Sequence, residues 1–169
     1  MFYLAATGSP AYKIKYMWLP PGGTWNGPAT VDAHTDSPSI YSTKLNGSGD
    51  LKRSNSADPS DPDYFVSNAF PRVAVNPVSG NIYLVYADLP FLGSTTDRGD
   101  IWANEASGSG SLTWSGTRKI NNDATMTDQW NPAVAVNPAG TLLFIGYYSR
   151  QGDPINNSLI KPTARRPIS

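Results

Sequence analysis

Six side chains carry the chemistry that this sequence offers most plainly: Arg72, Asp88, Asp128, Trp130, Tyr148 and Arg150. Carboxyl groups accept bonds from sugar hydroxyls or move protons, guanidinium groups grip acidic substituents, and aromatic rings stack on sugar faces. Asp88 and Asp128 are therefore the catalytic candidates, and Arg72, Trp130, Tyr148 and Arg150 the substrate-binding ones. Asp153 follows in the same stretch as Arg150. Glycoside cleavage usually asks for two carboxyl groups about 5–10 Å apart, so the two aspartates define a geometric expectation. Each of the six also reads as an ordinary loop charge or ring, and both readings stand at this level.

Other chemistries are thinly represented. Glu105 is the only glutamate and falls within a strand pattern. His34 is the single histidine. With Asp36 nearby it is a candidate base, but no Ser or Cys sits in a nucleophile elbow. Asp58, Asp61 and Asp63 offer oxygen ligands to a hard cation, yet the prolines between them and the missing glycine are unlike a dedicated calcium loop. No metal and no cofactor is expected. Arg98-Gly99-Asp100 spells an integrin-type tripeptide, a pattern common by chance. Asn46-Gly47-Ser48 and Asn156-Asn157-Ser158 are glycosylation sequons, meaningful only in a secreted eukaryotic chain.

Composition narrows the classes. The 169 residues allow one domain and include 13 basic and 13 acidic side chains, a formal net charge of zero. That balance argues against a nucleic-acid partner, which usually meets a basic stripe. There are no cysteines, so neither disulfides nor thiolate metal sites arise. Glycine and proline number 15 each, which disfavours long helices and feeds turns. No apolar run is long enough for a membrane helix, and no membrane partner is expected. Met1 to Ser9 lack the basic and long apolar regions of a signal peptide, so a soluble chain is expected and its compartment is left open.

The elements that must position these residues are announced by a repeat. Pro71-x-Val73-Ala74-Val75-Asn76-Pro77 aligns with Pro132-x-Val134-Ala135-Val136-Asn137-Pro138, six identities in seven columns. Val73 and Val75 alternate with Arg72, Ala74 and Asn76 at the period of a strand. Asn76 to Gly80 is turn chemistry, and Ile82 to Tyr86 is an apolar run expected of a strand covered on both faces. Leu143 to Tyr148 repeats it. Phe2 to Ala6 resembles this second strand, and Tyr12 to Trp18 and Ala29 to Val31 would follow as a third and fourth. After the turn-rich stretch Asp32 to Asn68, the full set returns: strands at Phe70, at Ile82, at Asp100 to Glu105 and at Thr117 to Ile120. A last unit opens near Trp130. Its third strand is expected at Ser158 to Ile160, stopped by Lys161-Pro162-Thr163.

Repeats of four antiparallel strands, spaced by about 40–60 residues, are the pattern of propeller blades. The expected fold is all-β, with about two and a half blades: blade 1 over 1–35, an insertion loop over 36–68, blade 2 over 69–123 and an incomplete blade 3 over 128–169. A two-layered sandwich is the alternative.

A family resemblance enters at Ser107, Thr113 and Trp114, which stand in register with the Asp-box, or BNR repeat, S-x-D-x-G-x-T-W. Ser109 and Ser111 replace its Asp and Gly. Gly22, Thr24 and Trp25 fit the same pattern in the first unit, where Trp18 and Pro20 take the Ser and Asp places. Thr95-x-Asp97-x-Gly99-x-x-Trp102 is a closer literal match but lies before the third strand, outside the position of the box. Gln129-Trp130-Asn131-Pro132 resembles a blade opening of this family. The chain thus resembles a sialidase-like propeller over most of its length except Asp32 to Asn68. The box is scaffold: Trp25 and Trp114 are expected to bury their rings between neighbouring sheets.

The resemblance implies a glycan-acting hydrolase with its site on the upper face, where strands one and three begin and strands two and four end. It also implies a Tyr nucleophile helped by a Glu and three arginines, a set this chain does not supply alone. The alternative functions are a non-catalytic glycan- or protein-binding module and an inactive fragment. Families of this kind are often secreted. Propellers close with four to eight blades, so the expected partners are a carbohydrate and further copies of the chain that complete a ring.

Overall fold

A computed structural model describes residues 1–8, 11–31, 50–53, 65–68, 70–88, 99–107, 112–122, 127–152 and 161–165. These form β-strands and turns with no helix among them, and hence none long and apolar enough to cross a membrane. The first sheet runs β1 (Phe2–Gly8), β2 (Ala11–Trp18), β3 (Asn26–Thr30) in sequence order, all antiparallel. A two-stranded ribbon, β4 (Asp50–Arg53) with β5 (Phe65–Asn68), follows. The middle sheet holds β6 (Arg72–Val75), β7 (Ile82–Asp88) and β8 (Asp100–Ser107), with β9 (Thr113–Trp114) and β10 (Arg118–Lys119) both paired to β8. The third sheet is β11 (Gln129–Val136), β12 (Leu143–Ser149) and β13 (Lys161–Arg165).

The three larger sheets are antiparallel meanders, as expected, and none closes on itself. The middle sheet is covered on both sides. Leu84, Tyr86 and Trp102 pack with Ile14, Tyr16 and Val31 of the first unit. Val85, Ala87, Ile101 and Ala103 pack with Ile145 and Tyr147 of the third sheet. Alternate residues of β7 thus enter two different cores, which explains why Ile82 to Tyr86 lacks polar alternation. Burying one such aliphatic side chain is worth about 1.5–3 kcal/mol.

The two hairpin turns match their chemistry. Gly80 and Gly140 sit at φ of 77° and 69°, a region open to glycine at little cost. The Asn76 side-chain oxygen accepts from the N–H groups of Val78 and Ser79 at 2.9 and 3.1 Å. Asn137 does the same for Thr141 and Leu142, both at 2.8 Å.

Four expectations need correction. The stretch 36–68, read as an insertion loop, contains the paired strands β4 and β5; turn-rich flanks concealed two short segments whose order comes from pairing with each other. The fourth strand of the middle sheet, expected at Thr117 to Ile120, already pairs at Thr113–Trp114 and is interrupted around Gly116, whose φ is 92°. The third strand of the last unit runs through Pro162 rather than stopping there: it borders the third sheet, and an edge position tolerates a residue without N–H. Ser158 to Ile160 lies outside the described residues. Finally, Trp114 packs edge-on against Phe2 and Tyr16 of the first sheet, at centroid distances of 6.1 and 5.8 Å, as expected, but Trp25 is 55% exposed. Trp114 reaches back to the preceding sheet; Trp25 has no preceding sheet among the described residues.

Candidate functional site

Strand pairing gathers the candidates at one end of the sheets. Asp88 ends β7 and lies opposite Asp100 at the start of β8. Gln129 and Trp130, at the start of β11, lie opposite Ser149 and Tyr148 at the end of β12. The Gln129 N–H donates to the carbonyl of Gly99 at 2.7 Å, joining the third sheet to the middle one at this end.

Four of the six candidates form one group. Arg150 Nη1 lies 3.7 Å from Asp128 Oδ2, both side chains almost fully buried, and the Arg150 N–H donates to the Asp128 carbonyl at 3.1 Å. The same guanidinium sits 5.7 Å from the Trp130 ring centroid, a cation–π placement. Trp130 in turn stacks with Tyr148, centroids 6.0 Å apart at 27°. Trp130 is buried, whereas Tyr148 is 42% exposed and gives the group its accessible surface. The local sequence explains the arrangement. A bulge between Trp130 and Ala133, with Asn131 at φ 49°, resets the register of β11 and leaves Trp130 directly across from Tyr148.

Asp88 ends a strand of the neighbouring sheet. It is 8% exposed and shares its surroundings with Tyr86. Burial, and then the Asp88 carboxylate, raise the Tyr86 phenol well above its ordinary range; the Thr117 hydroxyl opposes this weakly, though it makes no full hydrogen bond to the phenol oxygen. Tyr86 is thus a neutral phenol at any physiological pH. Arg72 is exposed, pairs with Val85 across the ladder and makes no ion pair with another described residue. The upper loops that would hold Asp153, His34, Asp36, Asp58, Asp61, Asp63, Arg98 and both sequons lie outside the described residues. Asp100 of the Arg98-Gly99-Asp100 tripeptide is buried and bonded inward, which removes it from the surface an integrin would read.

Sequence reasoning missed a second polar group beside the first. The Asn121 amide donates to Asp100 Oδ1 at 2.6 Å and to Gln129 Oε1 at 2.7 Å, and its oxygen accepts from the Ile101 N–H at 2.9 Å. Gln129 donates onward to the hydroxyls of Thr127 and Ser149 at 3.3 and 3.4 Å. Lys119 Nζ reaches Asp100 Oδ1 at 2.8 Å from a partly exposed position. Each amide in this chain is satisfied by a neighbour from another element, so the network ties β8, β10, β11 and β12 together. Only the flanking positions of Asn121 and Gln129, around a polar connection, hinted at it.

No group of three or more His, Cys, Asp or Glu side chains among the described residues has the arrangement to hold a metal ion. Comparison with known proteins finds no matching family model, no matching curated protein and no matching solved structure.

Proposed function

We propose that the chain is part of a sialidase-like β-propeller, contributing strands two to four of one blade, all of the next and strands one to three of a third, and that it binds glycans at the upper end of the sheets. The observation that carries this reading is the Arg150–Trp130–Tyr148 group with Asp128 behind it. Asp128 and Trp130 fix the almost fully buried guanidinium between them, and it in turn holds the Trp130 ring beneath Tyr148. The exposed Tyr148 ring supplies a stacking face for a pyranose. Hydrolysis is the second reading, favoured by the burial of Asp88 at the same end of the adjacent sheet, with Asp88 and Asp128 as its carboxyl pair and Arg72 at its rim.

A panel of neutral and acidic oligosaccharides, presented to the wild type and to Tyr148→Ala, tests the first reading. Retention of a glycan by the wild type and its loss in the variant is expected; no retained glycan at millimolar concentration removes the proposal. Chromogenic glycosides separate the second reading: turnover that disappears in Asp88→Ala makes the chain a hydrolase, and binding without turnover leaves it a lectin-like module.

A further inference from the structure

Among the described residues, two surfaces are more exposed than their counterparts in the neighbouring units. The repeat offset is 61 residues, from Pro71 to Pro132, and it holds through the second strand because Val75 pairs with Ile82 as Val136 pairs with Leu143. Leu84 and Tyr86, which face the first sheet, therefore correspond to Ile145 and Tyr147, which face the middle sheet. The opposite face of the middle sheet, with Val85 and Ala87, is covered by the third sheet. Its counterpart on the third sheet is the row Phe144, Gly146, Tyr148, with Ala133 and Ala135 across the ladder. Phe144 is 47% exposed, and both alanines are exposed.

The second observation is independent and lies at the other end. Trp114 follows Thr113 as Trp25 follows Thr24, and Trp114 is packed against Phe2 and Tyr16 of the sheet before it. Trp25 occupies the same place in its own unit and is 55% exposed. A tryptophan in this position has a built-in direction: it covers the sheet that precedes its own. Pairing also identifies what that sheet would present. Phe2 pairs with Tyr16 in the first sheet, Val85 with Ala103 in the middle one, and Gly146 with Ala164 in the third. The third sheet thus offers its smallest residues at the position where a boxed tryptophan arrives, with Phe144 and Tyr148 on either side along the strand.

We propose that a second copy of this chain covers the exposed face of the third sheet with its first sheet, setting Trp25 over Gly146 against Phe144 and leaving the Tyr148 ring, at the upper end of the strand, to the glycan. This rests on the propeller reading and names the contact that would close the ring. The association is head-to-tail: each copy gives one Trp25 edge and one Phe144 face, so a closing rotation makes a ring rather than a symmetric pair. A ring of about two or three copies is the expected closed form.

Sedimentation of the 169-residue chain over a range of concentrations provides the test, with circular dichroism as a check on folding. The wild type is expected to form a discrete oligomer. Trp25→Ala should raise its dissociation constant by about 30-fold or more, as for a central aromatic anchor. Phe144→Glu should leave a folded monomer. Mixing Trp25→Ala with Phe144→Glu should then restore a one-to-one complex, because the first variant keeps an intact face and the second an intact tryptophan. A wild type that stays monomeric when concentrated, an oligomer indifferent to Trp25→Ala, or two variants that fail to combine each overturns the proposal. Glycan binding measured on the same samples keeps the outcomes apart: a wild type that stays monomeric yet binds glycan sinks this interface and spares the ligand site.

Discussion

The hairpin from Arg72 to Asp88 and the hairpin from Ala133 to Ser149 share a sequence pattern and a pairing register, yet they inhabit different surroundings. In both, one face carries Val, Leu or Ile, and Tyr at equivalent places, and in both that face is packed against the preceding sheet. The other face differs. In the first hairpin it is Val85 and Ala87, sealed under the third sheet; in the second it is the exposed Phe144 and Tyr148 with half-buried Gly146 between them. Strand formation is set by the repeat itself, while depth of burial is set by the next sheet along. A residue in this molecule can be no more stabilising than its neighbour allows.

That contrast yields stability predictions for the dilute chain, measured by chemical denaturation. The largest effect falls on the shared face. Leu84→Ala and Ile145→Ala remove fully buried side chains from corresponding positions and should each cost about 2–5 kcal/mol. Phe144→Ala, on the open face, should cost less than about 1 kcal/mol. Equal losses for Leu84 and Phe144 would mean that the third sheet is covered on both sides within one copy.

The turns give the next largest difference. Gly80 and Gly140 both need a positive φ, so a side chain at either is strained by about 1 kcal/mol. A Cβ on Gly80 meets nothing, whereas one on Gly140 would collide with the Asn76 side chain. Asn76 is the tie between hairpins: besides capping its own turn, its amide donates to the Gly140 carbonyl at 2.9 Å. Gly140→Ala should therefore cost about 2–3 kcal/mol, against about 1 kcal/mol for Gly80→Ala. Asn76→Ala should likewise exceed Asn137→Ala by about 1 kcal/mol, since Asn137 serves only its own turn. Closely matching values within each pair would show that the two turns do not bear on one another.

How far these features could be read from the residues follows from which of them repeat. Strand order, the hairpins and the double burial of β7 were legible because Pro71 to Pro77 recurs at Pro132 to Pro138 and because Ile82 to Tyr86 has no polar alternation. The group formed by Asp128, Trp130, Tyr148 and Arg150 was legible in part, since all four flank one hairpin. What escaped depends on pairing between distant segments. Asn121 and Gln129 look like any polar connector until Asp100 and Ser149 are brought beside them. Strands β4 and β5 are only four residues each and carry no partner signal in their own sequence. Trp25 misled for a related reason: its type and spacing match those of Trp114, but burial depends on a neighbouring surface that the local sequence does not encode.

The smallest expected effect at neutral pH belongs to Tyr86, and it sharpens the contrast between the covered strand and the solvent-facing one. Replacing its hydroxyl by hydrogen leaves the ring packed against Trp102 and the first sheet, so Tyr86→Phe should change stability by less than about 1 kcal/mol at pH 7. The difference emerges in alkali. Tyr86's folded-state pKa is raised above the unfolded value of 10.0, chiefly by burial, so above that pH the unfolded chain has lost a proton that the folded chain still holds. Stability contributed by this group is intact below the unfolded value and falls as pH rises beyond it, by about 1.4 kcal/mol for each pH unit. Denaturation midpoints of the wild type and Tyr86→Phe, compared from pH 8 to 11.5, should coincide at first and diverge above about pH 10, with the variant the more resistant. If wild type and Tyr86→Phe coincide over the whole range, the covering of β7 by the first sheet does not keep water from Tyr86.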